Sequence, residues 1–220
     1  MTPAALASSL WEAADSHPTE ATACSFAFFL GLNACVGRLA RPHAPTLFGR
    51  RGRGQQGGRG RPHGDELLGV FVNHTVTLVH VALAVCGVWH MFVREQGLEV
   101  LSRDPLHGRL PTTAVLYPLS LGYLLYDTLD LFRTYRSTAR SSPPQWILLH
   151  HLALLSGVAF SCGLGLRDAP SGEAPGLFRP SECAAAPLIM LLFAHELNSF
   201  FMLGRAWLRL LGCDSVGSAS

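Results

Sequence analysis

Two carboxylates and two imidazoles stand in stretches that are otherwise apolar. Asp127 and Asp130 lie in "GYLLYDTLDLF", and His150 and His151 in "WILLHHLALLSG". Tyr123, Asp127 and Asp130 follow i, i+4, i+7 spacing, so on a helix they line one stripe, with Tyr126 on its flank. Adjacent helix positions differ by about 100°, so the rings of His150 and His151 face different neighbours. A carboxylate beside an imidazole fixes its tautomer and raises its basicity, as a general base or a nucleophilic site requires. The same pair also serves as a structural buried hydrogen bond, and both readings stay open. For the carboxylates the plainer alternative is an ion pair with Arg133 or Arg136. That fits Asp130 better than Asp127, which lies a turn deeper.

Further along, "LLFAHELNSFF" places Glu196 and Ser199 on one face, with His195 and Asn198 on the adjacent row. Upstream, Asn73 and His80 are two helical turns apart and share a face. Polar groups inside apolar helices face the bundle interior or a water-filled cavity. Asn73 and His80 are therefore either interhelical hydrogen-bonding groups or ligand-facing ones. Asn73-His74-Thr75 matches a glycosylation acceptor pattern, but it falls inside an expected helix, on the side read below as cytosolic, where modification is not expected. His150, His151, His195 and the carboxylates are all suitable zinc ligands. No H-x-x-x-H or H-E-x-x-H spacing occurs, so no metal site and no resident cofactor are expected.

The elements that carry these residues are long and greasy. The 220-residue chain is 49% hydrophobic and 15% charged, against roughly 25% charged in ordinary soluble domains, and its mean hydropathy is +0.27. All 17 basic residues are Arg. A bilayer-spanning helix needs about 20 mostly apolar residues. Segments 21–37, 67–93, 111–132, 146–166 and 184–211 meet that length, and helices apolar on every side have no polar face for water. The expectation is an all-α, multi-pass transmembrane bundle of about five spans. Residues 1–20 form an N-terminal tail, 21–65 a first membrane segment and an Arg/Gly-rich linker, 66–211 the main membrane domain and 212–220 a C-terminal tail.

Glu12, Asp15 and Glu20, with no Arg before them, argue against a cleaved signal peptide. Seven Arg between Arg38 and Arg61 and three between Arg133 and Arg140 favour those loops, and the C-terminus, in the cytosol. The loop from Arg94 to Arg109 carries three more, offset by Glu95, Glu99 and Asp104. The six cysteines show no C-x-x-C pair, and Cys24, Cys35, Cys86 and Cys162 read as small packing residues. The low-complexity Gly49–Gly64 segment reads as a solvated linker that helps set topology. Contact with anionic lipid is a second reading of it, and no nucleic-acid partner is expected.

Taken in order, "NHTVTLVH", "DPLHG", "SLGYLLYDTLDL", "LLHHL" and "ELNS" resemble the TLC domain family, over roughly residues 66–211. The nearest likeness is to its branch of TLC domain-containing proteins one and two. The resemblance implies helices surrounding a lipid-accessible cavity, with Asn73, His80, Tyr123, Tyr126, His195, Glu196 and Asn198 as candidate lining residues. It also implies regulation of plasma-membrane phospholipid composition and fluidity, by limiting incorporation of polyunsaturated acyl chains, with no established catalysis. The ceramide synthase branch uses its paired histidines for acyl-CoA-dependent N-acylation, and those positions match His150 and His151, with Asp127 and Asp130 as orienting acids. That branch's later H-D-x-x-D pattern reads His195, Glu196, Leu197, Asn198, Ser199 here, so the second acid is replaced by Ser199. Acyl-CoA is thus a co-substrate only under the alternative reading, an acyltransferase; a lipid-sensing or trafficking scaffold is a third. Family members usually continue for about two more helices, which implies an incomplete bundle here, whether isoform, fragment or misassembled gene model. Such an open bundle calls for membrane lipids, a second copy or another membrane protein to cover it.

Overall fold

The structure is a computed structural model that describes residues 3–45, 64–104, 108–137, 149, 151–154, 156, 201, 203–205 and 208. Regular structure among the described residues is helical, with no strand. The helices are α1 (Pro3–Ser16), α2 (Pro18–Ala40), α3 (Gly64–Arg94), α4 (Gly97–Arg103) and α5 (Thr113–Ser137), with a 3-10 turn at Arg41–His43. Leu149, 151–154 and Ser156 are helical as well. The Arg/Gly segment, His150, His195, Glu196 and Asn198 lie outside the described residues, as does most of the fourth and fifth expected spans.

Local chemistry sets the helix ends. α2 opens on a proline in its first turn with Glu20 beside it and closes on Arg38, which suits both the fixed proline φ and the helix dipole. α3 gives way to α4 at Gln96, the one non-glycine residue with left-handed φ (51°) among those described. A left-handed residue just past a helix reverses the chain and stops the helix from continuing. α5 starts where Glu95 reaches across to it. The Thr112 backbone N–H donates to Glu95 Oε1 at 3.0 Å, and the Thr112 hydroxyl donates to the same oxygen. A carboxylate at this position satisfies donors that a helix start leaves free and meets the positive end of its dipole.

α2, α3 and α5 pack on one another. Ser25 lies beside Leu119 and Asn33 beside Tyr126, so α2 and α5 run parallel. Asn73 lies beside Asp130 while Met91 clusters with Leu110, so α3 runs against both. The core forms three clusters along this bundle. Ala84, Val88, Met91, Leu110, Leu116 and Tyr117 fill one end. Phe29, Val76, Tyr123 and Tyr126 fill the middle, and Ala40, Leu68 and Val72 the other end. α2 and α5 approach closely at Gly122, where an added Cβ would lie 2.5 Å from Ser25 Cβ and 2.7 Å from the Phe26 backbone nitrogen. Only glycine admits that approach.

Two of these helical stretches are long and apolar enough to cross a membrane: Pro18–His43, with mean hydropathy 1.5, and Leu67–Arg94, with 2.0. The first runs past both ends of the expected span at 21–37. The third expected span, 111–132, folds as the helix α5 but is not one of that apolar pair. Three other details depart from the sequence reading. The N-terminal tail contains the helix α1, which packs on α2 and α5 and sets Trp11 edge-on to His90, with ring centroids 5.4 Å apart. The expected loop after Arg94 contains α4. Cys24, Cys35 and Cys86 are exposed rather than packed. Cys24, Phe28, Gly31 and Cys35 follow helical spacing along one exposed face of α2.

Candidate functional site

The polar residues of α3 and α5 meet in one connected network. On α3, the Thr77 hydroxyl donates to the Asn73 carbonyl at 2.9 Å, as hydroxyls in helices commonly do to the preceding turn. It also accepts a hydrogen bond from the Tyr123 hydroxyl at 2.9 Å. The Asn73 side-chain amide then donates to Asp130 Oδ2 at 2.8 Å and, more weakly, towards Asp127 Oδ1 at 3.5 Å. One amide therefore bridges both carboxylates of the predicted stripe. The same engagement ties up the nitrogen that glycosylation would modify.

Asp127 continues the network to the helical stretch after α5. Its Oδ2 lies 3.0 Å from His151 Nε2, and the His151 side chain is only 7% exposed against 25% for Asp127. The other ring nitrogen, Nδ1, lies 2.8 Å from the Thr128 hydroxyl. With Asp127 accepting as a carboxylate, Nε2 carries the proton and Nδ1 is left as the ring's acceptor, facing the Thr128 hydroxyl. The Thr128 hydroxyl also lies 2.7 Å from the Leu124 carbonyl. Its single proton serves either that carbonyl or the imidazole. Both His151 nitrogens are thus held by α5, and neither points at open space.

On the side facing α2, the Asn33 amide donates to the Tyr126 hydroxyl at 2.7 Å. Tyr126 is 1% exposed. His80 stacks flat on Tyr123, with ring centroids 3.9 Å apart and planes 5° from parallel, and Phe29 meets both rings edge-on. Tyr126→Phe is expected to strand the Asn33 amide and cost about 1–2 kcal/mol. Thermal unfolding in detergent checks this, and Asn33→Leu in the same chain should recover part of the loss.

The structure thus brings together Asn73, Tyr123, Tyr126, Asp127, Asp130 and His151, with His80 at the edge of the group. His80 faces the rings of Phe29 and Tyr123. Asp130 takes Asn73 as its partner; no ion pair joins it to Arg133 among the described residues. Asn33, Thr77 and Thr128 join the site without having been singled out in the sequence. Asn33 had a visible signal, a lone amide in an apolar run. The threonines had none, because helical hydroxyls bond their own backbone by default. No group of three His, Cys, Asp or Glu side chains among the described residues is placed to hold a metal ion.

Beyond Asn33 and Asp130 the three helices splay into an open cleft of about 870 Å³. Arg38, Arg41 and Arg133 line it with Ala34, Gly37, Leu68, Gly69 and Val72. No family model, curated protein or solved structure matches the chain.

Proposed function

We propose that this chain is a multi-pass membrane protein of about five spans that tunes the acyl composition of membrane phospholipids without itself catalysing acyl transfer. Support for the membrane comes from two apolar helical stretches that the fold leaves largely uncovered. Only 11% of the apolar window of Pro18–His43 is buried, and 33% of that of Leu67–Arg94. A core helix of a soluble bundle would be mostly buried, and apolar faces of this size call for lipid or a partner. The polar groups point inward, as they must where hydrocarbon replaces water. The specific role follows the sequence likeness to the TLC domain family, and the plasma membrane is the compartment that role favours, with the endoplasmic reticulum second.

One observation weighs against catalysis. A general base needs a ring nitrogen open to take a proton from substrate, and the two nitrogens of His151 face Asp127 and Thr128. The acyltransferase reading keeps a foothold in that same Asp127–His151 pair, whose geometry matches an oriented base. It needs Thr128 to release Nδ1 when substrate arrives.

The test is phospholipid profiling of cells that lack the protein, rescued with wild type, Asp127→Asn or Thr128→Val. Loss should raise polyunsaturated phospholipid, and wild type should reverse the change. Thr128→Val frees Nδ1. On the non-catalytic reading it rescues like wild type, and Asp127→Asn rescues in proportion to its abundance in the membrane. A faster rescue by Thr128→Val, together with acyl-CoA consumption by purified protein that Asp127→Asn lowers by 10²-fold or more, would overturn that reading in favour of an enzyme. No change in lipid composition with wild type would sink both.

A further inference from the structure

We propose that the cleft between α2, α3 and α5 seats the phosphate of an anionic phospholipid headgroup. The inference rests on the membrane reading above and deepens it by naming the class of lipid. Three guanidinium groups line one opening, from Arg38, Arg41 and Arg133, and the single acid there is Asp130. Three positive charges and one negative leave a formal charge of +2. Asp130 is already hydrogen-bonded by Asn73 at 2.8 Å. Among the described residues none of the three arginines has a carboxylate within ion-pair distance. Like charges held together in a concave site attract and concentrate an anion, and guanidinium geometry matches phosphate oxygens two at a time.

The remaining lining supplies the other half of an amphiphile's requirements. Ala34, Leu68 and Val72 are apolar, and Gly37 and Gly69 keep the walls low. A Cβ added at Gly69 meets nothing within 4 Å, and one at Gly37 meets only Val72 Cγ2 at 3.9 Å. The volume of about 870 Å³ is within the range of sites that hold a small ligand. It suits a headgroup with its glycerol, while the acyl chains leave along the exposed face of α2. The arginines lie at the end of the bundle next to the Arg-rich connections, the side placed in the cytosol by the count of basic residues. Anionic lipids are concentrated in that leaflet.

Free phosphate esters share the recognised group, so the experiment separates the two sources. The full chain, purified in a neutral detergent, is titrated with dioctanoyl phosphatidic acid, dioctanoyl phosphatidylserine, dioctanoylglycerol and glycerol 3-phosphate, and thermal unfolding is followed. The two anionic lipids should raise the midpoint in a saturable way, and dioctanoylglycerol and glycerol 3-phosphate should not. Arg38→Gln/Arg133→Gln should weaken the apparent affinity at least tenfold. Gly69→Phe places a ring in the cleft wall beside the arginines without altering charge and replaces a helix-weakening glycine, so it should fold and should weaken binding too.

Binding to Gly69→Phe equal to wild type would reduce the arginines to a diffuse surface attraction and overturn the site. Equal binding of glycerol 3-phosphate would overturn the lipid source, and equal binding of dioctanoylglycerol would overturn the role of phosphate. Carbonate extraction of membranes from expressing cells scores the membrane reading separately. A chain released by carbonate refutes that reading whatever it binds, whereas a retained chain that ignores anionic lipid refutes only the cleft proposal.

Discussion

Gly122→Leu should prevent α2, α3 and α5 from assembling, and Gly122→Ala should weaken them measurably. The Cβ of either variant would lie 2.5 Å from both Ser25 Cβ and Ser25 Oγ and 2.7 Å from the Phe26 backbone nitrogen. A side chain could swing aside, but the Phe26 nitrogen belongs to the α2 backbone, so the two helices must part. Parting them also lengthens the Ser25 bond to the Leu119 carbonyl, now 3.0 Å, and the Asn33–Tyr126 bond. For Ala the expected cost is about 1–3 kcal/mol, as for other forced overpacking. At about 2–4 °C per kcal/mol for a chain of this size, the melting midpoint in detergent should fall by several degrees. Ser25→Gly combined with Gly122→Ala removes one of the two clashes and should recover part of the loss. A Gly122→Ala protein that melts with wild type would show that the close crossing is not what holds these helices together.

The second large effect concerns the Asp127–His151 pair. His151→Phe keeps the apolar volume but takes the strongest partner from Asp127, leaving it the Asn73 amide at 3.5 Å. Removing one member of a buried ionisable pair typically costs about 3–5 kcal/mol. A quarter-exposed Asp127 side chain puts the expectation at the lower end, about 3 kcal/mol. Asp127→Asn should cost less, because an amide still accepts from the imidazole. A double-mutant cycle on the two positions should give a coupling of at least about 1 kcal/mol, whereas contributions additive to within about 0.5 kcal/mol would mean the contact carries no stability.

The stripe through Tyr123 and Asp127 was legible because 3.6-residue periodicity fixes which residues share a helix face, whatever the helix packs against. The pairing of Asn73 with Asp130 was not, since periodicity places residues on a face but says nothing about which faces meet. For the same reason Asp130 invited the nearby Arg133, one turn away, when its partner sits 57 positions upstream on another helix. His80 was correctly placed on the face of Asn73, yet its neighbour is the Tyr123 ring. A ring stack leaves no trace in spacing. The cysteines of α2 were misread because a small, soft side chain packs equally well against protein or against lipid, so residue type alone cannot choose between them. Arg38 and Arg41 attracted notice only as markers of topology. Their convergence with Arg133 requires α2 and α5 to run parallel, which only the fold discloses.

The division of polar labour among α2, α3 and α5 has a consequence for how the chain is made. On the membrane reading, α2 and α3 are long and apolar enough to cross a bilayer, whereas Asp127 and Asp130 make α5 the costlier helix to bury in lipid. Its partner Asn73 belongs to a segment synthesised earlier, and His151 to one synthesised later. A ribosome feeding this chain into a bilayer therefore delivers the donor before the acceptors and the imidazole last. Insertion of α5 would wait on a template already in place, and mutations in α3 would surface as failures to integrate α5. Defects of biogenesis would then appear one helix downstream of the residue that causes them.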